Sequence, residues 1–305
     1  MMPVKHIRIS KKMSVSELVK QMSGSGVMGA GRVAKAAGIM GQMFNDKDCK
    51  IFFGVAGAMV PGGMKELIID VLRTGRVSAF VTTGANLTHD LIEALGNRHY
   101  QGTADADDKK LHKMGIDRIY NAFMKNEVYV GLEKFFKLHF DKLCREKKIN
   151  EFLWQLGSKV KTKDSILRVC YKNKIPIFCP GIADSGIGLM MWGNIAAGKR
   201  CDLQAFADMD DIIKLAWKSK KNGILYVGGG LPKNYIQQAL QFSKGAAYGV
   251  QLTADLPQWG GSSGAELREG ISWGKMNEKG KFIDVYGDAT ITFPLVWAAV
   301  KDKLK

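Results

Sequence analysis

Six short apolar segments, most of them running through glycine, small or acidic residues into a helical stretch, constrain this chain more than any other feature. They fall at 50–55, 79–83, 175–179, 223–227, 247–253 and 282–286. Apolar runs of this length, separated by helical patterns, specify strands joined by crossover helices. The expected fold class is therefore α/β, with a doubly wound, mainly parallel sheet in a single domain. No internal repeat or Pro/Gly/Ser-rich linker divides the chain.

Upstream of the first strand, Ser14 followed by Glu17 has the spacing of a helix start, and apolar residues from Val33 to Met43 recur at helical spacing. Between them Gly24-Ser25-Gly26-Val27-Met28-Gly29 matches G-x-G-x-x-G. It follows a helical pattern instead of a strand, so it is read as a loop with no nucleotide role. Residues 1–45 are taken as an N-terminal arm with the first helices, and 46–305 as the nucleotide-binding domain.

A 305-residue chain that is 46% hydrophobic has enough material for one full core. Its five cysteines are odd in number and scattered, without a C-x-x-C pair, which points to a reducing compartment and to neither a disulfide frame nor a metal site. No apolar run approaches the ~18 residues of a membrane span. The expectation is a soluble cytoplasmic protein with no membrane partner. The formal charge of +16 raises the question of nucleic acid. Its clusters, such as Lys218-Ser219-Lys220-Lys221, fall at helix ends, where cations complement the dipole and face water. No nucleic-acid partner is expected, although the field can steer an anionic cofactor.

The loops after the strands carry the chemistry. Glycine-rich turns between strand and helix expose backbone N–H groups that suit a pyrophosphate, and they also simply permit tight connections. Asp288 has two roles open to it, ribose acceptor or helix cap. The segment Ser263-Gly264-Ala265-Glu266-Leu267-Arg268-Glu269-Gly270-Ile271-Ser272-Trp273-Gly274-Lys275 sets a lysine two residues after a tryptophan and six after a carboxylate. An apolar wall disfavours an ammonium, and a neutral lysine is a nucleophile. Most lysines, by contrast, are solvated surface groups.

Ser272-Trp273-Gly274-Lys275, with Ser263-Gly264-Ala265 and Glu269 before it, resembles the active-site signature of deoxyhypusine synthases. The resemblance runs from about residue 50 to 300, through 82–90, 115–120, 228–234 and 285–289. It implies a Rossmann-like fold, a homotetramer with sites between paired subunits, and NAD as cofactor. Lys275 is then the nucleophile that captures the aminobutyl group of spermidine, with Glu269 and Trp273 holding the amine. The acceptor is a lysine on the translation factor that receives hypusine. NAD contacts are implied for Gly57, Ala58, Met59, Val60, Pro61, Thr82, Thr83, Gly84, Asp184, Gly229, Thr253, Ala254, Asp288 and Ala289. Substrate contacts are implied for His89, Asn234, Ser262 and Ser272.

The match departs from the eukaryotic pattern in the amine pocket. Eukaryotic members carry two glutamates where this chain has Thr88 and His89, aspartates at the positions of Leu189 and Ser262, and a histidine at Asn234. Those substitutions resemble archaeal and bacterial branches. They leave a second acceptor open, free putrescine, which would give homospermidine. His89 has both a proton-transfer and a structural reading.

Overall fold

The apolar segments become the strands of a parallel sheet. The computed structural model describes residues 1–304. In chain order its elements are α1 (Val15–Ser25), α2 (Met28–Asn45), β1 (Cys49–Val55), α3 (Lys65–Arg73), β2 (Val77–Thr82), α4 (Gly84–Ala94), β3 (Tyr100–Gln101), α5 (Asp108–Lys113), β4 (Ile116–Ile119), β5 (Ala122–Lys125), α6 (Val128–Leu143), α7 (Ile149–Lys159), α8 (Ile166–Lys172), β6 (Ile177–Phe178), α9 (Gly186–Ala196), α10 (Ala205–Trp217), β7 (Lys221–Val227), α11 (Gly230–Leu240), β8 (Ala246–Thr253), β9 (Met276–Tyr286) and α12 (Ala289–Lys301). Two compact units divide them: residues 1–56, 76–81 and 209–305 form the first, and 57–75 with 82–208 the second.

In the first unit the strands lie in the order β2-β1-β7-β8-β9. The pairings of β1 with β7, β7 with β8 and β8 with β9 are all parallel. Ile51, Phe52, Phe53 and Val55 on β1 and Ile224, Leu225 and Val227 on β7 are fully buried. Burial on both faces is why these strands read as continuous apolar runs instead of alternating ones. Helix α2 packs on β8, β9 and α12, and α11 packs on β1. Phe44 meets Trp297 at 5.6 Å between ring centroids; burying side chains of this size contributes roughly 1.5–3 kcal/mol each. Ser14 and Glu17 form the expected capping box on α1. The Gly24–Gly29 stretch is the end of α1, a left-handed Gly26 with φ +70°, and the start of α2.

The second unit holds α3 to α9 and a small antiparallel sheet in the order β3-β5-β4. Its buried anchor is Asp90 on α4. Its carboxylate accepts from the Ser165 hydroxyl at 2.8 Å, the Ile166 amide at 2.9 Å and the Leu167 amide at 3.0 Å, satisfying donors at the N-terminus of α8. The strand expected over 175–179 is reduced to Ile177–Phe178. No helix is long and apolar enough to cross a membrane among the described residues.

Candidate active site

In the first unit, backbone bonds carry the parallel ladder one residue past each strand. The Ala56 amide donates to Val227 O at 2.9 Å, Gly228 to Leu252 O at 2.8 Å, and Gly287 to Thr253 O at 2.9 Å. Gly228–Gly230, Thr253–Ala254 and Gly287–Asp288 therefore sit side by side along the carboxyl edge of the sheet, where open α/β folds bind ligands. The glycine turn is sterically closed to any side chain: a Cβ on Gly229 would lie 2.5 Å from Ser263 Cα. Gly229 leaves the first amides of α11 without a side-chain cap. Asp288 caps α12 with one oxygen, Oδ1, which accepts from the Thr290 amide at 2.7 Å and hydroxyl at 2.9 Å. Its other oxygen has no hydrogen bond among the described residues, so capping does not preclude a ribose contact. Ala289 follows as the first residue of α12 and is buried.

The second unit collects the remaining cofactor candidates. Gly57, with φ +79°, opens the loop that holds Ala58, Met59, Val60 and Pro61. Buried Asn86 ties this loop to the next: its Oδ1 accepts from the Val60 amide at 3.4 Å and its Nδ2 donates to the Thr82 hydroxyl at 3.3 Å. Thr83 caps α4 through the Asn86 amide. Gly84 leaves no room for a side chain against Ser185, which caps α9 directly after Asp184.

Lys275 is buried at 8% exposure, and its Nζ lies 4.8 Å from the centroid of the Trp273 ring. It forms no ion pair among the described residues. Trp273 itself is 59% exposed, so it offers a cation-binding face open to solvent instead of the dry wall expected from sequence. The turn Leu267–Ile271 presents Glu269 to solvent, and the Lys275 amide closes on Gly270 O at 2.8 Å. Ser272 is engaged within this turn, donating its hydroxyl to Glu269 O at 2.8 Å. Ser262 is exposed and donates to Gly230 O at 3.4 Å, while Asn234 lies half-buried on the second turn of α11.

Lys275 O accepts from the Ala246 amide, where β8 begins, whereas Thr253 ends that strand. Seven residues of parallel strand span about 23 Å. The nucleophile candidate thus hangs from the opposite end of the sheet to the glycine turns, and the first unit does not bring the two together at one edge.

A buried polar cluster, not read from the sequence, lies between these ends. Lys233, 1% exposed on α11, donates to Gln251 Oε1 at 2.8 Å and to Ala265 O. Gln251 Nε2 in turn donates to Ser263 O. The Leu267 amide donates to Asp284 at 3.1 Å. Burial pulls Lys233 down to about 8, helped by the charge of Lys275 and opposed by Asp284 and Glu269. Burial likewise pushes Asp284 up to about 6, against the Leu267 amide and the Lys233 charge.

The second unit has its own linked set. His99 Nδ1 lies 2.7 Å from Glu93 Oε1, His99 Nε2 lies 2.9 Å from His89 Nδ1, and Lys65 donates to Glu93 Oε2 at 2.6 Å. Burial, then the charge of His99, lowers His89 to about 4. Burial raises Glu93, but bonds from His99 and Lys65 outweigh it and hold the carboxyl below its ordinary value. Thr88, beside His89, is an internal strut: it donates to Gly84 O at 2.9 Å and accepts from the Ile187 amide at 3.0 Å.

A family model for deoxyhypusine synthase matches residues 17–300. The chain is 41% identical over 304 residues to a protein named probable deoxyhypusine synthase 1 from Methanosarcina acetivorans, covering 99% of this chain and 95% of that one. It is 38% identical to the Archaeoglobus fulgidus protein of the same name, covering 97% and 96%. Among solved structures, an Entamoeba histolytica protein assigned as a deoxyhypusine synthase superposes with a TM-score of 0.69 at 18% identity, covering 99% of this chain and 98% of that one.

Proposed function

Because the chain belongs to the deoxyhypusine synthase family, we propose that it transfers the aminobutyl group of spermidine, through an imine on Lys275, to a lysine of the translation factor that receives hypusine. The observation that carries this reading is the burial of Lys275 without an ion pair, beside the face of Trp273. A buried unpaired lysine costs stability, and it is kept where a reactive amine is needed.

NAD is the cofactor in this reading. The closed Gly229 turn, the uncapped amides of α11 and the open oxygen of Asp288 fit a dinucleotide in the first unit. The linked loops at Gly57–Pro61 and Thr82–Gly84 fit one in the second. When bound, NAD supplies the acceptor for a hydride from the carbon beside an amine, and the donor for its return. The protein's own groups do the rest. Lys275 attacks the imine carbon and displaces diaminopropane, the acceptor lysine later displaces Lys275, and Glu269 and Trp273 hold the cationic end of the chain.

A homotetramer is part of the same reading. Leu189, Trp192 and Ile195 form an exposed apolar stripe on α9, of a kind that subunit contacts cover. Free putrescine is a second acceptor. Its support is the sequence at Thr88, Leu189 and Ser262, where the eukaryotic carboxylates are replaced by residues that resemble the archaeal and bacterial branches.

The test is incubation with labelled spermidine and NAD, borohydride reduction and peptide mapping, with the translation factor or putrescine supplied in parallel. Label on Lys275, and its loss in Lys275→Arg, is the expected result. Label on a different lysine removes the proposal, and the acceptor that collects the label decides between the two products.

A further inference from the structure

Glu93, His99 and His89 form one hydrogen-bonded chain in the second unit. Glu93 is held ionised, so it only accepts, and His99 Nδ1 must carry the hydrogen between them. In the tautomer that sets Nδ1–H toward Glu93 and leaves Nε2 bare, His99 accepts from His89 Nδ1–H. In that tautomer His89 Nε2 is a lone pair, and it has no hydrogen bond among the described residues. The ring edges meet at 66° with centroids 4.9 Å apart, which suits a bond along the ring planes. Lys65 pins the far oxygen of Glu93. No group of three or more His, Cys, Asp or Glu side chains is placed to hold a metal among the described residues, so the set is not a ligand cage.

We propose that His89 Nε2 is the general base that takes a proton from the substrate amine, and that His99 and Glu93 are the positioning residues that carry the resulting charge inward. This rests on the transfer reaction above, in which an amine must be neutral before its neighbouring carbon gives up a hydride and before a lysine attacks an imine. The step balances. One N–H bond of the substrate ammonium breaks and a bond to His89 Nε2 forms. The hydrogen on His89 Nδ1 passes to His99 Nε2, so the charge comes to rest on His99 against Glu93. The reverse transfer returns the proton to the leaving amine.

The surroundings fit such a base. Charge on His89 itself is disfavoured by burial, whereas His99 has the carboxylate beside it. The ionisable groups whose charge acts on His89 are His99 and Glu93, with Lys65 of α3 reaching it through Glu93. Of the helices packed on α4, α9 has no ionisable side chain, α6 brings Tyr129 near Thr88, and α8 brings Cys170 beside Asp90, with phenol and thiol both raised by burial. His99 also lines a cavity of about 480 Å³ with Pro61, Gly63, Tyr100 and Asn121, next to the loop assigned to the cofactor.

Two measurements test the relay. In protein labelled with nitrogen-15 in its histidines, His89 and His99 should both appear at neutral pH as the less common Nδ1–H tautomer, assigned through His89→Gln and His99→Gln. A His89 bearing Nε2–H in the free enzyme overturns the proposal without any assay of activity. The second is rapid-mixing reduction of NAD by spermidine. His89→Ala should lose about 10²–10⁴-fold at neutral pH, the range of a lost general base, and regain much of it as pH rises and the amine deprotonates in solution. Glu93→Gln should lose less and shift the acid limb of the rate profile to lower pH. A His89→Ala enzyme within twofold of the parent at every pH, while Lys275 is still trapped by borohydride, overturns the relay alone. A parent enzyme that neither reduces NAD nor traps label overturns the reaction and the relay together.

Discussion

Lys233 on α11 donates to Gln251 on β8 at 2.8 Å, and through Gln251 the pair grips the carbonyl of Ser263, the first residue of the segment that ends at Lys275. Lys233 is 1% exposed, so its hydrogen bonds and the charges of Asp284 and Glu269 have to compensate for lost water. Lys233→Met should leave Gln251 Oε1 and Ala265 O unpaired and destabilise the fold by about 2–4 kcal/mol. Urea melts check the stability. The borohydride trap should fall further than NAD affinity, since the gripped segment carries Lys275, the proposed nucleophile.

Asp90 should prove as sensitive. Removing its carboxylate orphans the Ile166 and Leu167 amides and the Ser165 hydroxyl at once. Asp90→Ala should cost about 3 kcal/mol or more, while Asp90→Asn, which keeps one acceptor, should cost less. Thermal denaturation of the two variants side by side gives the comparison.

A methyl group at Gly229 has nowhere to go. With Ser263 Cα at 2.5 Å and its carbonyl oxygen at 2.9 Å, Gly229→Ala must push apart the α11 turn and the segment that starts at Ser263. We expect NAD affinity to fall at least tenfold, measured by calorimetry. Gly29→Ala on α2, where nothing lies within 4 Å, should change neither binding nor melting by a comparable amount.

Acid stability carries a signature of His89. Its value of about 4 in the folded chain lies below the ordinary 6.5, so the unfolded chain binds a proton that the native one refuses. Stability is therefore lost as pH falls from about 6.5 to 4. Asp90 and Asp284, both raised to about 6, act with the opposite sign over an overlapping window. His89→Gln should flatten the loss by about 1–3 kcal/mol between pH 7 and 4. Melting curves across that range that stay parallel to the parent's would contradict it.

The sequence revealed what is locally encoded. Strands β1 and β7 were legible because burial on both faces leaves an uninterrupted apolar run, and the turn at Gly228–Gly230 because its glycines are contiguous. β9 was read only from Phe282, since its first half, Asn-Glu-Lys-Gly-Lys, is polar where the register with β8 breaks between Ala246 and Tyr248. The β3-β5-β4 sheet escaped notice because its strands have two to four residues and half-exposed faces. Lys275, Trp273 and Glu269 sit in one short motif. Lys233, Gln251 and Asp284 do not: three separate elements bring them together, and no spacing announces it. His99 and Glu93 were missed for the same reason, since the link to His89 depends on how the chain turns after α4.

The pairing of β1 with β7 has a consequence for how the protein is made. Cys49 lies opposite Lys221, and the neighbouring ion pair joins residues 172 positions apart. On the ribosome β1 emerges early and stays without that neighbour until more than two-thirds of the chain has been synthesised. Residues 57–75 and 82–208, the second unit, are complete by then and free to fold first. An apolar strand of Ile-Phe-Phe exposed for that interval is a standing hazard for aggregation, and long-range parallel pairing closes slowly. Yield of native protein should therefore depend on temperature and translation rate during synthesis more than the melting point of the finished molecule would suggest.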